Sequence, residues 1–347
     1  MSRPAPRSSF APLLATAADV AGRVASGPVA TRIAPAALRR LVADALPLDE
    51  GADAGDVLAA VEDLIRRFSV HVTHPRYFGL FNPPVLPETV AATALTAAYN
   101  CQEAVWSHGP AAAEIEQHAL RRLAAHVGWE PAGVRAHFTS GGQEANLSAV
   151  VVALSHAFPG WAARGLRSLP GDPVLYAAGE AHHSLVRAAR VCGLGDAAVR
   201  WVPVDGTLRM DVAALARLVA EDRAAGRRPF LVVGTAGTTA AGVIDPLPRI
   251  ADLCDTLGLW FHCDAAWGGG ALLSPRLRGH LAGIERARSV TWDAHKWLCC
   301  PMGSGAFLCR ERDAVAAAFD VASGYMPQAR SGADDPHRVS LQWSRRA

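Results

Sequence analysis

The sequence is almost without lysine. Of its 347 residues, 34 are lysine or arginine; one, Lys296, is a lysine and the other 33 are arginine. Charge of one sign is also lacking: 34 basic residues face 32 acidic ones, for a net charge of +2. That balance excludes the electrostatic footprint of a nucleic-acid or anionic-membrane binder. Cysteines number seven, an odd count without Cys-x-x-Cys spacing, so neither a zinc site nor a disulfide framework is indicated. Cys299-Cys300 reads as buried filler, no metal is expected, and the pattern fits a reducing cytoplasm. No apolar run reaches transmembrane length. The N-terminus, with Arg3 and Arg7 before an alanine-rich stretch, lacks a continuous apolar region with a cleavage site and reads as a frayed start rather than a signal peptide.

What is present is apolar residue in quantity, half the chain, enough for one large domain or two ordinary ones. Residues from about 10 to 70 carry apolar side chains at helical spacing, including Leu38, Leu41, Val42, Val57, Leu58, Val61, Leu64 and Ile65. His74-Pro75-Arg76-Tyr77-Phe78-Gly79 and Asn82-Pro83-Pro84 break that pattern as a loop, and 88–127 read as helical again. Strands are expected at 135–139, 174–177, 199–203, 230–234, 259–263, 288–292 and 305–309. Helices are expected from the 140–146 turn to about 157 and at 183–192, 211–225, 246–257 and 311–320. This alternation predicts an α/β fold with a mainly parallel sheet covered on both faces.

Four local features carry chemistry. Lys296 lies in the apolar, aromatic-rich stretch Ser289–Trp297. Arginine replaces lysine as a surface charge but not as an amine that must lose its proton and attack a carbonyl, so Lys296 reads as a Schiff-base lysine or as the remnant of an arginine-biased composition. Ser140-Gly141-Gly142-Gln143 places two glycines before a helix, either a plain tight turn or an anion site built from free N–H groups. Asp264 ends the apolar run Trp260-Phe261-His262-Cys263, either as a cap or as a carboxylate in the ligand crevice of an open sheet. His182, beside His183 and before another helix, could cap or stack on an aromatic ligand; two adjacent histidines do not share a helical face for metal. In the order 142, 182, 264, 296, these features describe a pyridoxal phosphate site: donors for a phosphate, a face for the ring, an acid for its nitrogen and an amine for its aldehyde.

The segments HPRYF, TSGGQEANL, EAHHSLVRAA, GTAGTTAAGVIDP, FHCDAAWGG, DAHKWL and QWSRR resemble, in order, those of the group II pyridoxal-phosphate-dependent amino-acid decarboxylases of fold type I, the relatives of aromatic-L-amino-acid, glutamate, histidine and diaminobutyrate decarboxylases. The resemblance covers roughly 70–347 and, weakly, the N-terminal helices. It implies Lys296 as the lysine that binds the cofactor, Asp264 as partner of the pyridine nitrogen, His182 and Ala266 on the two ring faces, and Gly142, Gln143 and His295 at the phosphate. Asp293 falls where the family has Asn or Asp, and Thr239 near the ring oxygen. Leu80, Phe81 and Asn82 match the lip of the substrate pocket. Tyr325 matches a proton donor on a loop that reaches a partner subunit's site.

The implied protein is a cytoplasmic homodimer, with an intertwining helical segment at 1–75 and a cofactor-binding large domain at 76–347. The implied reaction is decarboxylation of an L-amino acid through an external aldimine and a quinonoid, with Lys296, His182 and Tyr325 as catalytic residues. Tyrosine at 325 favours the amine over the aldehyde product of relatives with phenylalanine there. The family continues past QWSRR into a C-terminal small domain, so that domain is expected to be missing from this chain. A transamination, a decarboxylation coupled to oxidative deamination, or a cofactor-binding fragment without turnover are the alternative outcomes.

Overall fold

The computed structural model describes residues 10–23, 25–47, 51–79, 81–321, 323–326 and 335–343. The chain forms two compact units, Met1–Ala94 and Leu95–Ala347. The first holds α1 (Phe10–Gly22), α2 (Pro35–Ala45) and α3 (Ala54–Phe68). Asp53 starts α3 by accepting from the backbone N–H groups of Gly55 and Asp56, the ordinary chemistry of an acidic N-cap. α4 (Pro87–Tyr99) crosses the division in sequence.

The stretch expected to be helical over 88–127 consists of two helices, α4 and α5 (Pro110–Val127). Asn100 adopts a left-handed φ of 48° just past α4. Gly109-Pro110 then opens α5, where the proline ring disfavours helix in the residue before it. An apolar period alone could not show that interruption.

In the second unit β1 (Arg135–Thr139) leads into α6 (Gly142–Ala157) and the single turn α7 (Trp161–Arg164). β2 (Pro173–Ala178), α8 (Ser184–Val191), β3 (Val199–Val202), α9 (Val212–Ala224), β4 (Arg228–Thr235), α10 (Leu247–Leu257), β5 (Trp260–Asp264), β6 (Ser289–Asp293), β7 (Gly305–Cys309) and α11 (Arg312–Phe319) follow. The strands lie within about two residues of the expected bounds. They form one sheet in the order β1-β7-β6-β5-β4-β2-β3. β3, β2, β4, β5 and β6 run parallel, and β7 is antiparallel to both its neighbours.

Successive strand residues point to opposite faces, so the sheet separates two cores. One face packs Val232, Phe261, Val290 and Trp292 with Leu120 of α5, Leu215 of α9 and Ile250 of α10. The other packs Leu231, Val233, Trp260 and Phe307 with Leu154 of α6, Leu185 of α8 and Val315 of α11. Among the described residues no helix is long and apolar enough to cross a membrane.

Candidate active site

The topology gathers the chemistry at one edge. β4, β5 and β6 are parallel, so Thr235, Asp264 and Asp293 end three neighbouring strands on the same side. β1 is antiparallel to β7, which is antiparallel to β6, so the β1–α6 turn leaves from that side too. β2, parallel to β4, delivers the loop that carries His182. Carboxyl ends of strands in an open α/β sheet form the usual ligand crevice.

Contacts confirm that these pieces meet. A Cβ on Gly142 would lie 2.9 Å from Asp293 Oδ2 and 3.1 Å from the Ala266 Cβ. A Cβ on Gly141, whose φ is +145°, would lie 3.1 Å from His295 Cε1. The two glycines thus let the backbone of the turn rest against the β5 and β6 ends. α6 begins at Gly142, and its N-cap Gly141 offers no side-chain cap, so the first N–H groups of the helix, at Gly142 and Gln143, have no capping side chain as acceptor.

Lys296 follows β6 in a turn. Its Nζ lies 3.1 Å from Asp293 Oδ2, and His295 Nε2 lies 3.4 Å from the same oxygen. Asp293 is 2% exposed and the Lys296 side chain 16%. Burial raises the Asp293 carboxyl above the ordinary range, against the pull of Lys296 and His295, and burial lowers His295. The lone lysine therefore lies against a buried carboxyl group whose proton affinity is increased.

Behind Asp264 lies a second set of polar groups that sequence reasoning gave no role. Asp264 Oδ2 accepts from Asn146 Nδ2 at 2.8 Å, and Oδ1 accepts from the Ala266 N–H at 3.1 Å. Asn146 Nδ2 also reaches Ser184 Oγ at 2.8 Å, and the Ser184 N–H donates to His182 Nδ1 at 3.2 Å. His262 and Thr291 contact Asn146 Oδ1 at 3.1 and 2.8 Å. The signal was present: Trp260-Phe261-His262-Cys263-Asp264 and Ser289-Val290-Thr291-Trp292-Asp293 both place polar residues at every second position of fully buried strands. A period-two polar ladder inside two buried strands marks one face lined for hydrogen bonding.

Thr239 is exposed in the turn after β4, while its neighbour Thr238 is buried and accepts from the Val243 N–H. Tyr325 is 78% exposed, with its ring 6.2 Å from that of Trp343. Gln143 is exposed in the first turn of α6. Leu80 lies outside the described residues, as do Ser344, Arg345 and Arg346 of the QWSRR segment. Phe81 is exposed, and Asn82 Oδ1 accepts from the Tyr77 hydroxyl at 3.3 Å, both within the first unit. Asp245 of the GVIDP segment has a scaffolding place: buried, it accepts from the Met210 and Thr235 N–H groups, both at 2.8 Å, and ties down the end of β4.

The chain is similar to known proteins throughout. It is 39% identical over 245 residues to the cysteine sulfinic acid decarboxylase of Mus musculus, covering 70% of this chain and 49% of that one. It is 31% identical over 308 residues to the aromatic-L-amino-acid decarboxylase of Bacillus atrophaeus, covering 89% and 62%. The chain thus spans about half to three-fifths of these relatives' length. Among solved structures, mouse CSAD superposes with a TM-score of 0.86 at 33% identity, over 96% of this chain and 69% of that one. Oryza sativa TDC with PLP and tryptamine superposes with a TM-score of 0.90 at 25% identity, over 100% and 73%. The pyridoxal-dependent decarboxylase conserved domain matches residues 35–347, and the chain belongs to that family.

Proposed function

We propose that this protein binds pyridoxal 5'-phosphate and decarboxylates an L-amino acid to the corresponding amine and CO2. The observation that carries the reading is the convergence of the only lysine, the Gly141–Gly142 turn and Asp264 at one edge of the sheet. The residues fit the cofactor of the family. Besides the uncapped start of α6, Asp293 Oδ1 and Thr235 Oγ1 are buried there with no hydrogen-bond partner among the described residues. Buried polar atoms at a strand edge are expected to find a partner, and a polar ligand supplies one.

When bound, pyridoxal phosphate would supply an aldehyde for the substrate amine and a ring that accepts the electron pair released as CO2 leaves. The Gly142 and Gln143 N–H groups, with His295, would hold the phosphate. Asp264 would hold a proton on the ring nitrogen, and His182 and Ala266 would flank the ring. Thr239 is assigned to the ring oxygen by sequence resemblance, as are Leu80, Phe81 and Asn82 to the substrate pocket. Lys296 would release and recapture the cofactor, and Asp293, 3.1 Å from its Nζ, is placed to take and return the amine proton. Tyr325 is assigned by the resemblance as the group that returns a proton to the substrate carbon, across the interface of a homodimer.

The test is uptake of pyridoxal phosphate followed by CO2 and amine analysis over a panel of amino acids. Acidic ones come first, because relatives at 34–39% identity are named for cysteine sulfinic acid and acidic amino acids. Cofactor uptake with amine and CO2 from one panel member is expected. Aldehyde in place of amine, keto acid without CO2, or no uptake would each refute the reading.

A further inference from the structure

The polar groups behind Asp264 can be assigned donor by donor. Asp264 Oδ2, a carboxylate oxygen, can only accept, so the Asn146 atom 2.8 Å away is the amide nitrogen. Asn146 Oδ1 then faces Thr291 Oγ1 and His262 Nε2, and both must donate to it. With its proton on Nε2, the His262 ring leaves Nδ1 as an acceptor, and the Ser289 hydroxyl donates to it at 2.8 Å. Ser289 Oγ in turn accepts from Trp260 Nε1–H at 2.9 Å, a group that can only donate. These bonds point from Trp260 toward Asp264; the His262 Nε2 proton is shared between Asn146 Oδ1 and Thr291 Oγ1, each 3.1 Å from the nitrogen.

His262 and Thr291 are 0% exposed and Asn146 is 1% exposed, so water does not compete for these bonds. Burial pushes the His262 imidazole down to about 4, which keeps it neutral in the single tautomer that the chain requires. The second Asn146 N–H goes to Ser184 Oγ, whose own N–H holds His182 Nδ1. One amide therefore joins the strand-end carboxylate to the loop that carries His182.

We propose that Asn146 is a positioning residue. Its amide, oriented by the one-way chain Trp260–Ser289–His262 and by Thr291, fixes the Asp264 carboxylate for the ring nitrogen of the cofactor and couples it to the His182 arm. This rests on the reading above that pyridoxal phosphate occupies the site. A plain packing function for the same side chains would stabilise the fold without setting the electronic state of a bound ring.

The test uses the full chain and pyridoxal phosphate. Side-chain ¹⁵N spectra of the cofactor-free protein, assigned by the peak lost in His262→Gln, should show a neutral ring protonated at Nε2. A proton on Nδ1 would reverse the chain and overturn the proposal without touching the reading of the site. The isosteric Thr291→Val should weaken cofactor binding about tenfold, the worth of one buried hydrogen bond, and Thr291→Ser should restore it. Asn146→Asp, which replaces two donors by a second carboxylate facing Asp264, should weaken binding about a hundredfold or more and shift the pH midpoint of the visible band of the bound cofactor. Lower melting temperatures with cofactor affinity within twofold of wild type and an unmoved band would reduce the chain to packing and overturn the proposal. Absence of cofactor uptake by the wild-type protein would instead refute the reading of the site, and the proposal with it.

Discussion

Replacing Asp264 by asparagine keeps the shape of the side chain and removes its charge, and the geometry sets the consequence. Oδ2 accepts from Asn146 Nδ2 at 2.8 Å and Oδ1 from the Ala266 N–H at 3.1 Å. An amide has one acceptor and one donor end, so either orientation sets an NH2 group against another donor. Asn146 cannot turn in response, because its oxygen is held by Thr291 and His262. A buried donor without a partner costs about 1–3 kcal/mol. The melting temperature of the cofactor-free Asp264→Asn protein should therefore fall by roughly 2–10 °C. The charge-assisted bond to the ring nitrogen would be lost as well, which should weaken pyridoxal phosphate by about tenfold and CO2 release by about a hundredfold or more. Calorimetric melts, cofactor titration by absorbance and a CO2 assay read the three quantities. An unchanged melt together with near-normal CO2 release would refute both the donor geometry and the assigned part of Asp264.

Three further outcomes are expected. Borohydride reduction of the cofactor-loaded protein should attach pyridoxyl phosphate to Lys296, the only lysine side chain present; peptide mass spectrometry that finds the label solely on the N-terminal amine would refute the site. Tyr325→Phe should still release CO2 but shift product from amine toward aldehyde, read by chromatography of both products, and an unchanged amine yield would remove Tyr325 as the proton donor. His262 has a folded-state pKa of about 4, below its ordinary 6.5, so the unfolded chain takes up its proton first as pH falls. The stability contributed by neutral His262 should be fully present above pH 6.5 and lost toward pH 4, about 3 kcal/mol in all. Denaturant melts of wild type and His262→Gln across that window should diverge in slope, and parallel curves would contradict the assignment.

The fold was legible because each strand in the second unit is a short apolar run bounded by turn residues. Residues 135–139 and 305–309 are strands at the expected positions, and the others agree within about two residues. The antiparallel setting of β7 was not legible, since strand direction depends on how 294–304 turn back and not on periodicity. The break between α4 and α5 was hidden for a related reason: a left-handed Asn100 leaves no mark in an apolar pattern. The placement of Lys296, Asp264 and Gly142 at one sheet edge agrees with the expectation drawn from a lysine that arginine cannot replace, a strand-end carboxylate and a glycine turn before a helix. Asn146, Ser184 and Thr291 were not singled out, because a polar side chain becomes informative only when its burial is known. Tyr325 and Thr239 show the opposite limit: motif position names them, and among the described residues no hydrogen bond or ring contact joins them to the cluster.

One helix links both ends of the site. Gly142, in the turn that offers N–H groups to an anion, and Asn146, which holds Asp264, are four residues apart on α6 and so lie on one face, about 6 Å along the axis. The same face meets β6: Gly142 approaches Asp293, and Asn146 accepts from Thr291 two residues earlier on the strand. The spacing of the helix thus matches the spacing of the strand, one turn against two residues. The proposed phosphate end and the proposed ring-nitrogen end are therefore both set by the packing of one helix on one strand rather than by separate loops. A displacement of α6 would move both anchors together, whereas a change in the His182 loop would reach Asp264 only through the Ser184–Asn146 bond and would leave the Gly142 end in place. Coupling between phosphate affinity and the pH midpoint of the bound cofactor is thus expected for substitutions on α6. Independence of the two is expected for substitutions in the loop after β2.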